Sequence, residues 1–158
     1  MTEPFITVRR YPYEEPYLTQ LAFFVSNGRF SGTTDIYCDV EDFIAMGKAL
    51  RAFPQKADDE YSYEYGSEDP ATKFYRYFQL RAYTFNRVGH CALQISINLN
   101  TETPGEGICK FSIRTEAAAI NRLGQLFEQF GKLAHLEMHW NLKNGQLYER
   151  HQTELNNF

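Results

Sequence analysis

The stretch CALQISINL, residues 91–99, decides the fold class because its apolar and polar residues alternate without a break. Successive side chains of a β-strand point to opposite faces, so this pattern predicts a strand with one buried face. The other face is polar, which is typical of an antiparallel sheet that has one face in water. The predicted core side chains are Cys91, Leu93, Ile95, Ile97 and Leu99.

Further strands are predicted on both sides of this stretch. The turn dipeptide Asn27-Gly28 lies between two β-rich runs, and Asn-Gly favours a type I′ hairpin because both residues tolerate positive φ. With the strand over 91–99, the sequence predicts about seven antiparallel strands. The other six are predicted over residues 5–8, 17–25, 30–37, 59–65, 74–85 and 108–113.

Two segments change to the period of an α-helix. Asp39 and Thr115 are the predicted N-caps, and Pro54 and Gly131 follow the two helices. The sequence therefore predicts an α+β domain over residues 1–142, with two amphipathic helices, followed by a polar C-terminal tail over 143–158. The apolar stripes are Phe43, Met46, Leu50 and Phe53 in the first helix, and Ile120, Leu123, Phe127 and Phe130 in the second.

The two halves of the chain are similar at an offset of 77 residues, where Gly47 aligns with Gly124 and Leu50 with Phe127. Internal duplication is one interpretation, and the other is that any two amphipathic helices share such a stripe. A glycine inside a helix costs about 1 kcal/mol relative to alanine. The paired glycines therefore predict a close approach of each helix to the sheet.

Length and composition exclude several classes of protein. A chain of 158 residues can bury the core of one domain, and it has no apolar run of the length that a membrane-spanning helix needs. Residues 1–10 do not resemble a signal peptide, and three cysteines are too few for a disulfide framework, so we expect a cytoplasmic protein. The net charge of −4 argues against a nucleic-acid partner.

Motifs for catalysis or metal binding are weak. His90 and Cys91 are neighbours on a predicted strand, so their side chains point to opposite faces and do not form a nucleophile–base pair. His135 and His139 have the spacing of a helical metal pair but lack a clear third ligand. The sequence predicts a non-enzymatic protein with no catalytic residue, no metal ion and no cofactor.

The most concentrated feature is the stretch 58–69, which holds six carboxylates and three tyrosines. One interpretation is a solvated edge strand whose charge prevents aggregation. The other is a recognition surface, in which the carboxylates steer a basic protein partner and the tyrosines supply contact area. The predicted partner-contact residues are Asp58, Asp59, Glu60, Tyr61, Tyr63, Glu64 and Tyr65.

The order of segments from Phe5 to about Phe130 resembles the WapI-type immunity proteins of bacterial polymorphic toxin systems. That resemblance implies a small cytoplasmic protein that binds and neutralises a cognate toxin domain without turnover. Nuclease toxins are often basic because they bind phosphate, so a basic nuclease is one toxin that would fit. The alternative is a small-molecule-binding or enzymatic α+β domain. The likeness lies in residues 5–8, 15–17 and 25–28, in the return strand into Asp39 and its helix, in residues 63–64, 74–83 and 91–95, and in residues 111–113, which lead into the second helix.

Overall fold

Residues 2–15 and 18–152, which the computed structural model describes, form nine β-strands and two α-helices. A short 3-10 helix, Pro70–Thr72, precedes the fifth strand. The α-helices are α1 (Val40–Arg51) and α2 (Ala117–Phe130). The strands are β1 (Phe5–Tyr11), β2 (Thr19–Ser26), β3 (Ser31–Cys38), β4 (Glu60–Tyr65), β5 (Tyr77–Thr84), β6 (Cys91–Asn98), β7 (Ile108–Thr115), β8 (Glu137–Asn141) and β9 (Gly145–Tyr148).

The strands form two antiparallel sheets. The first sheet has the order β3-β2-β1-β8-β9, and the second has the order β4-β5-β6-β7. The predicted α+β class, with antiparallel strands and two helices, is confirmed. The predicted number of seven strands is wrong, because β8 and β9 add to the sheet that begins with β1.

The two additional strands come from a part of the chain whose local pattern is weak. β8 pairs with β1, which lies near the other end of the sequence, and Val8 is opposite Met138. Its Glu137 is buried, and the Arg9 Nε donates to a Glu137 carboxylate oxygen at 2.8 Å. β9 lies inside the stretch 143–158 that was expected to be a loose tail, and it pairs with β8.

Several boundaries differ from those predicted. The hairpin loop consists of Gly28 and Arg29, closed by a hydrogen bond from Asn27 N to Phe30 O of 3.0 Å. Only Gly28 has a positive φ, 93°, which is the pattern of a type II′ turn rather than type I′. The aromatic strand β5 begins at Tyr77, because the 3-10 helix and the left-handed Lys73 precede it.

The two sheets and the two helices share one core. The rings of Phe23 on β2 and Phe78 on β5 have centroids 4.5 Å apart, and Phe127 of α2 contacts Phe23. The predicted alternation in β6 is confirmed, since Leu93, Ile95 and Ile97 are all buried. No helix in the described part of the chain has the length and apolar character that a membrane crossing requires.

The helices pack against each other rather than separately on a sheet. A Cβ built on Gly47 would lie 2.8 Å from the Gly124 carbonyl oxygen, and one on Gly124 would lie 2.5 Å from the Gly47 carbonyl oxygen. The glycines therefore permit a close helix crossing, and the predicted approach to the sheet is wrong. Asp39 is the N-cap of α1 as predicted, but α2 is capped by Glu116 and not by Thr115.

Strand β3 crosses the end of the second sheet. Near its start, a Cβ on Gly32 would lie 2.7 Å from the Sγ of Cys109 on β7. Further along, Asp35 lies beside Arg76, which precedes β5, and Cys38 lies beside Tyr63 on β4. The two sheets therefore meet along β3.

Candidate functional site

The predicted contact residues lie on or beside β4, which is an edge strand of the second sheet. Tyr61, Tyr63 and Tyr65 share one face, as the alternation predicted, and all three are half-buried against the core. The Tyr63 side chain lies beside the Cys38 thiol, and the Tyr65 hydroxyl lies beside the backbone of Tyr37. Tyr63 and Tyr65 therefore lie where the two sheets meet.

The electrostatics around Tyr63 indicate a structural contact. Burial, with a smaller contribution from Asp42 and Asp39, raises the pKa of the Cys38 thiol to about 12. Burial is also the largest cause of the raised pKa of Tyr63. Both groups are therefore neutral near pH 7, and Cys38 does not have the lowered pKa of a reactive thiol.

The carboxylates of the same segment lie away from the tyrosine rings. Glu60 forms an ion pair with Arg81, and Glu64 accepts a hydrogen bond of 2.7 Å from the Tyr77 hydroxyl. Asp59 accepts from the backbone N–H of Gln55 at 2.7 Å, whereas Asp58 is exposed. The structure does not place the seven predicted residues on one face, and their contact with a partner stays a prediction.

A second acidic feature lies at the other end of the stretch 58–69. A groove of about 560 Å³ is lined by Glu68 and Asp69 from this stretch and by Glu102 and Glu106 from the loop between β6 and β7. Lys73 is the one basic residue among those that line it. We call this feature the acidic groove. Sequence reasoning missed Glu102 and Glu106, because only the fold brings their loop beside Glu68.

Hydrogen bonds hold the two walls of the acidic groove together. The side-chain amide of Asn100 donates to Ser67 O at 2.9 Å and to Phe74 O at 3.1 Å. Glu68 accepts from the Asn98 side chain at 3.0 Å. Within the described residues, the carboxylates of Glu102 and Glu106 form neither a hydrogen bond nor an ion pair, and both residues are exposed.

Exposed apolar side chains border the acidic groove. Phe74 and Ile108, which line it, are 47% and 71% exposed, and the neighbouring Tyr75 is 49% exposed. Tyr75 has a fixed orientation, since its ring stacks on the Arg76 guanidinium at 4.0 Å and its hydroxyl donates to the Asp35 carboxylate at 3.2 Å. Exposed apolar patches with a polar rim are typical of protein-binding sites.

The other candidate groups do not assemble into a site. His135 lies in the loop before β8, whereas His139 is on that strand and contacts the Thr7 hydroxyl at 2.8 Å. Cys91 is buried, and the adjacent His90 is exposed and hydrogen-bonds to Asn86. Across residues 2–15 and 18–152, no three His, Cys, Asp or Glu side chains lie close enough together to hold a metal ion.

No family model, no curated protein and no solved structure matches this chain.

Proposed function

We propose that this protein binds a basic protein partner stoichiometrically and neutralises it, as an immunity protein does with its toxin. The observation that carries the proposal is the acidic groove, in which four carboxylates and one ammonium group lie beside exposed Phe74 and Ile108. The resemblance to WapI-type immunity proteins supports the same class of function. A toxin that acts on nucleic acid would present the cationic surface that this groove complements.

The unpaired carboxylates give the proposal its physical basis. Glu102 and Glu106 are free to interact with cationic side chains, and unscreened charge accelerates the encounter of oppositely charged proteins. The apolar rim then supplies desolvated contact area, because exposed aromatic rings lose little conformational entropy on binding. Recognition of this kind needs no catalytic group, and the proposal includes none.

The proposal also covers the compartment and the origin of the chain. Cys38, Cys91 and Cys109 are all free thiols, which suits a reducing cytoplasm. An internal duplication of a strand–helix unit is supported by the positions of two pairs of elements. β7 begins and ends 77 residues after β3, and α2 begins 77 residues after α1. The contact between Gly47 and Gly124 at the helix crossing fits the same relationship.

The first test is an affinity capture from native lysate at low and high salt. The native protein should retain a basic protein at a ratio of one to one, and high salt should weaken its retention because salt screens surface charge. The double variant Glu102→Gln/Glu106→Gln should reduce retention severalfold. The same charge change in Glu41→Gln/Glu149→Gln, at two exposed positions outside the groove, is the matched control, and it should have little effect.

Neutralisation is tested separately from binding. Expression of the captured protein alone should arrest growth, and co-expression with the native chain should restore it. A captured protein that is harmless alone would contradict the immunity function. Stabilisation by a metabolite, with no protein retained, would instead favour the small-molecule-binding alternative. A loss of retention only in Asp58→Asn/Glu60→Gln would move the contact surface to β4.

A further inference from the structure

The outer edge of β3 carries unpaired backbone groups. β3 is the terminal strand of the first sheet, and no strand within residues 2–15 and 18–152 pairs with its outer edge. The hydrogen bond from Asn27 N to Phe30 O fixes which residues of β3 direct their backbone groups toward β2 and which direct them outward. In that register, Gly32 and Thr34 bond to β2, while the N–H and C=O groups of Ser31 and Thr33 point away from the sheet.

The first part of this edge, before Asp35, lacks the charges that usually protect an edge strand. Edge strands are commonly guarded by charged side chains, bulges or proline, which prevent pairing with another chain. The residues from Phe30 to Thr34 are Phe, Ser, Gly, Thr and Thr, and none is charged. By contrast, the outward side chains of β4 include Glu60 and Glu64. Phe30, at the start of the β3 edge, is 66% exposed.

An apolar cleft lies beside the unguarded edge. It has a volume of about 290 Å³, with Ser31–Thr33 on one side and Leu99, Ile108 and Cys109 on the other. Ile108 also lines the acidic groove, so the cleft and the groove adjoin at this residue. We call this cleft the β3 seam. An extended chain in the seam would reach both free backbone groups and the carboxylates.

We propose that an extended, basic segment of the protein partner adds to the first sheet as a new strand along β3, with its apolar side chains in the β3 seam and its cationic side chains in the acidic groove. Strand addition supplies affinity through backbone hydrogen bonds and specificity through alternate side chains. The proposal rests on the proposed function, because it assigns a binding mode to the partner. The occupant is basic because the acidic groove, which adjoins the seam at Ile108, holds four carboxylates.

The probe is a short fluorescein-labelled peptide of alternating lysine and valine, used with the full chain in fluorescence anisotropy. The paired probe is the same peptide N-methylated at alternate residues on the edge that would face β3. It keeps the charges and side chains but removes the N–H donors. The native protein should bind the unmethylated peptide about tenfold more tightly, as expected for the loss of one or two backbone hydrogen bonds. Amide NMR signals of Ser31 and Thr33 should shift on binding.

The protein variant is Thr33→Pro. The N–H of Thr33 points away from β2, so proline removes no bond within the sheet, and edge strands tolerate proline at such positions. We expect about tenfold weaker peptide binding. The matched control is Ser62→Pro, at an outward-facing N–H of β4, which is an edge strand of the second sheet, and it should bind like the native protein. Circular dichroism verifies that both variants fold, and the peptide pair provides the test if either does not.

Three outcomes would overturn the inference. Equal binding of the two peptides would mean that the carboxylates hold a basic chain without strand pairing, which leaves the proposed function standing. Weaker binding in Ser62→Pro alone would place strand addition on β4. A dimer in sedimentation that Thr33→Pro abolishes would identify a second copy of this chain as the occupant.

Discussion

His139 is the described histidine whose surroundings disfavour its charged form. It lies on β8 with its Nδ1 2.8 Å from the Thr7 hydroxyl and its ring stacked on Phe5. Burial lowers its pKa below 6.5, and the carboxylates of Glu137 and Glu3 oppose that change by less. Between the lowered pKa and 6.5 the unfolded chain binds more protons, so stability rises with pH in this range.

We predict that the free energy of unfolding contributed by His139 is fully present above pH 6.5 and decreases as the pH falls below it. His139→Asn removes the titrating group, so its melting temperature should depend less on pH between 7.5 and 5. His90→Asn, at an exposed position, is the matched control and should keep the native slope. An unchanged slope in His139→Asn would contradict the prediction.

The two helices pack closely against each other. Gly47 and Gly124 lie at their crossing, and the side-chain amide of Asn121 donates to Leu50 O and Phe53 O at the end of α1, at 3.0 and 2.6 Å. In an exposed helix, alanine would be favoured over glycine by about 1 kcal/mol. Here steric exclusion requires glycine, because a methyl group has no space between the two helix backbones.

Gly124→Ala should therefore destabilise the protein, with a loss of about 1–3 kcal/mol in the free energy of unfolding. Urea denaturation followed by circular dichroism measures the change. Gln125→Ala, at the next and exposed position of α2, should change stability by no more than about 0.5 kcal/mol. A more stable Gly124→Ala would show that the helices separate at little cost.

Elements with strong local patterns could be predicted from the sequence, and those that depend on distant partners could not. β6 and the two apolar helix stripes follow directly from alternation and helical spacing. β8 contains Glu137, whose burial becomes acceptable only because Arg9 lies on the neighbouring strand. β9 is four residues long and has little periodicity, so its structure derives from pairing with β8.

The candidate site shows the same division at the level of elements. Glu68 and Asp69 stand out in the sequence because they belong to a charged run, but Glu102 and Glu106 lie in an ordinary polar loop. Asn100 brings these segments together through its bonds to Ser67 and Phe74. The sequence also did not predict that β3 would be an edge strand, since the order of strands in a sheet depends on tertiary structure.

The whole described molecule depends on one shared core, in which residues from both sheets and both helices are in contact. The single tryptophan, Trp140, is fully buried on β8, and its indole N–H donates to Ala119 O at 2.8 Å. Cys91 is fully buried on β6 in the other sheet. These two residues report on the two sheets independently.

We predict one cooperative unfolding transition. The fluorescence of Trp140 and the alkylation of Cys91, located by mass spectrometry, should give the same midpoint in urea, because neither sheet can expose its inner face alone. Far-UV circular dichroism should coincide with both. Separate midpoints would mean that the two sheets unfold as independent units.

The pairing of β1 with β8 also has a consequence for biosynthesis. Val8 and Met138 are opposite each other, about 130 residues apart in the chain. At about 5–20 residues per second, a ribosome needs roughly 7 to 26 s to travel that distance. During that time one edge of β1 has no strand to pair with. Until β8 emerges, each nascent chain therefore exposes an unpaired edge of β1, which chaperones or rapid translation would have to protect.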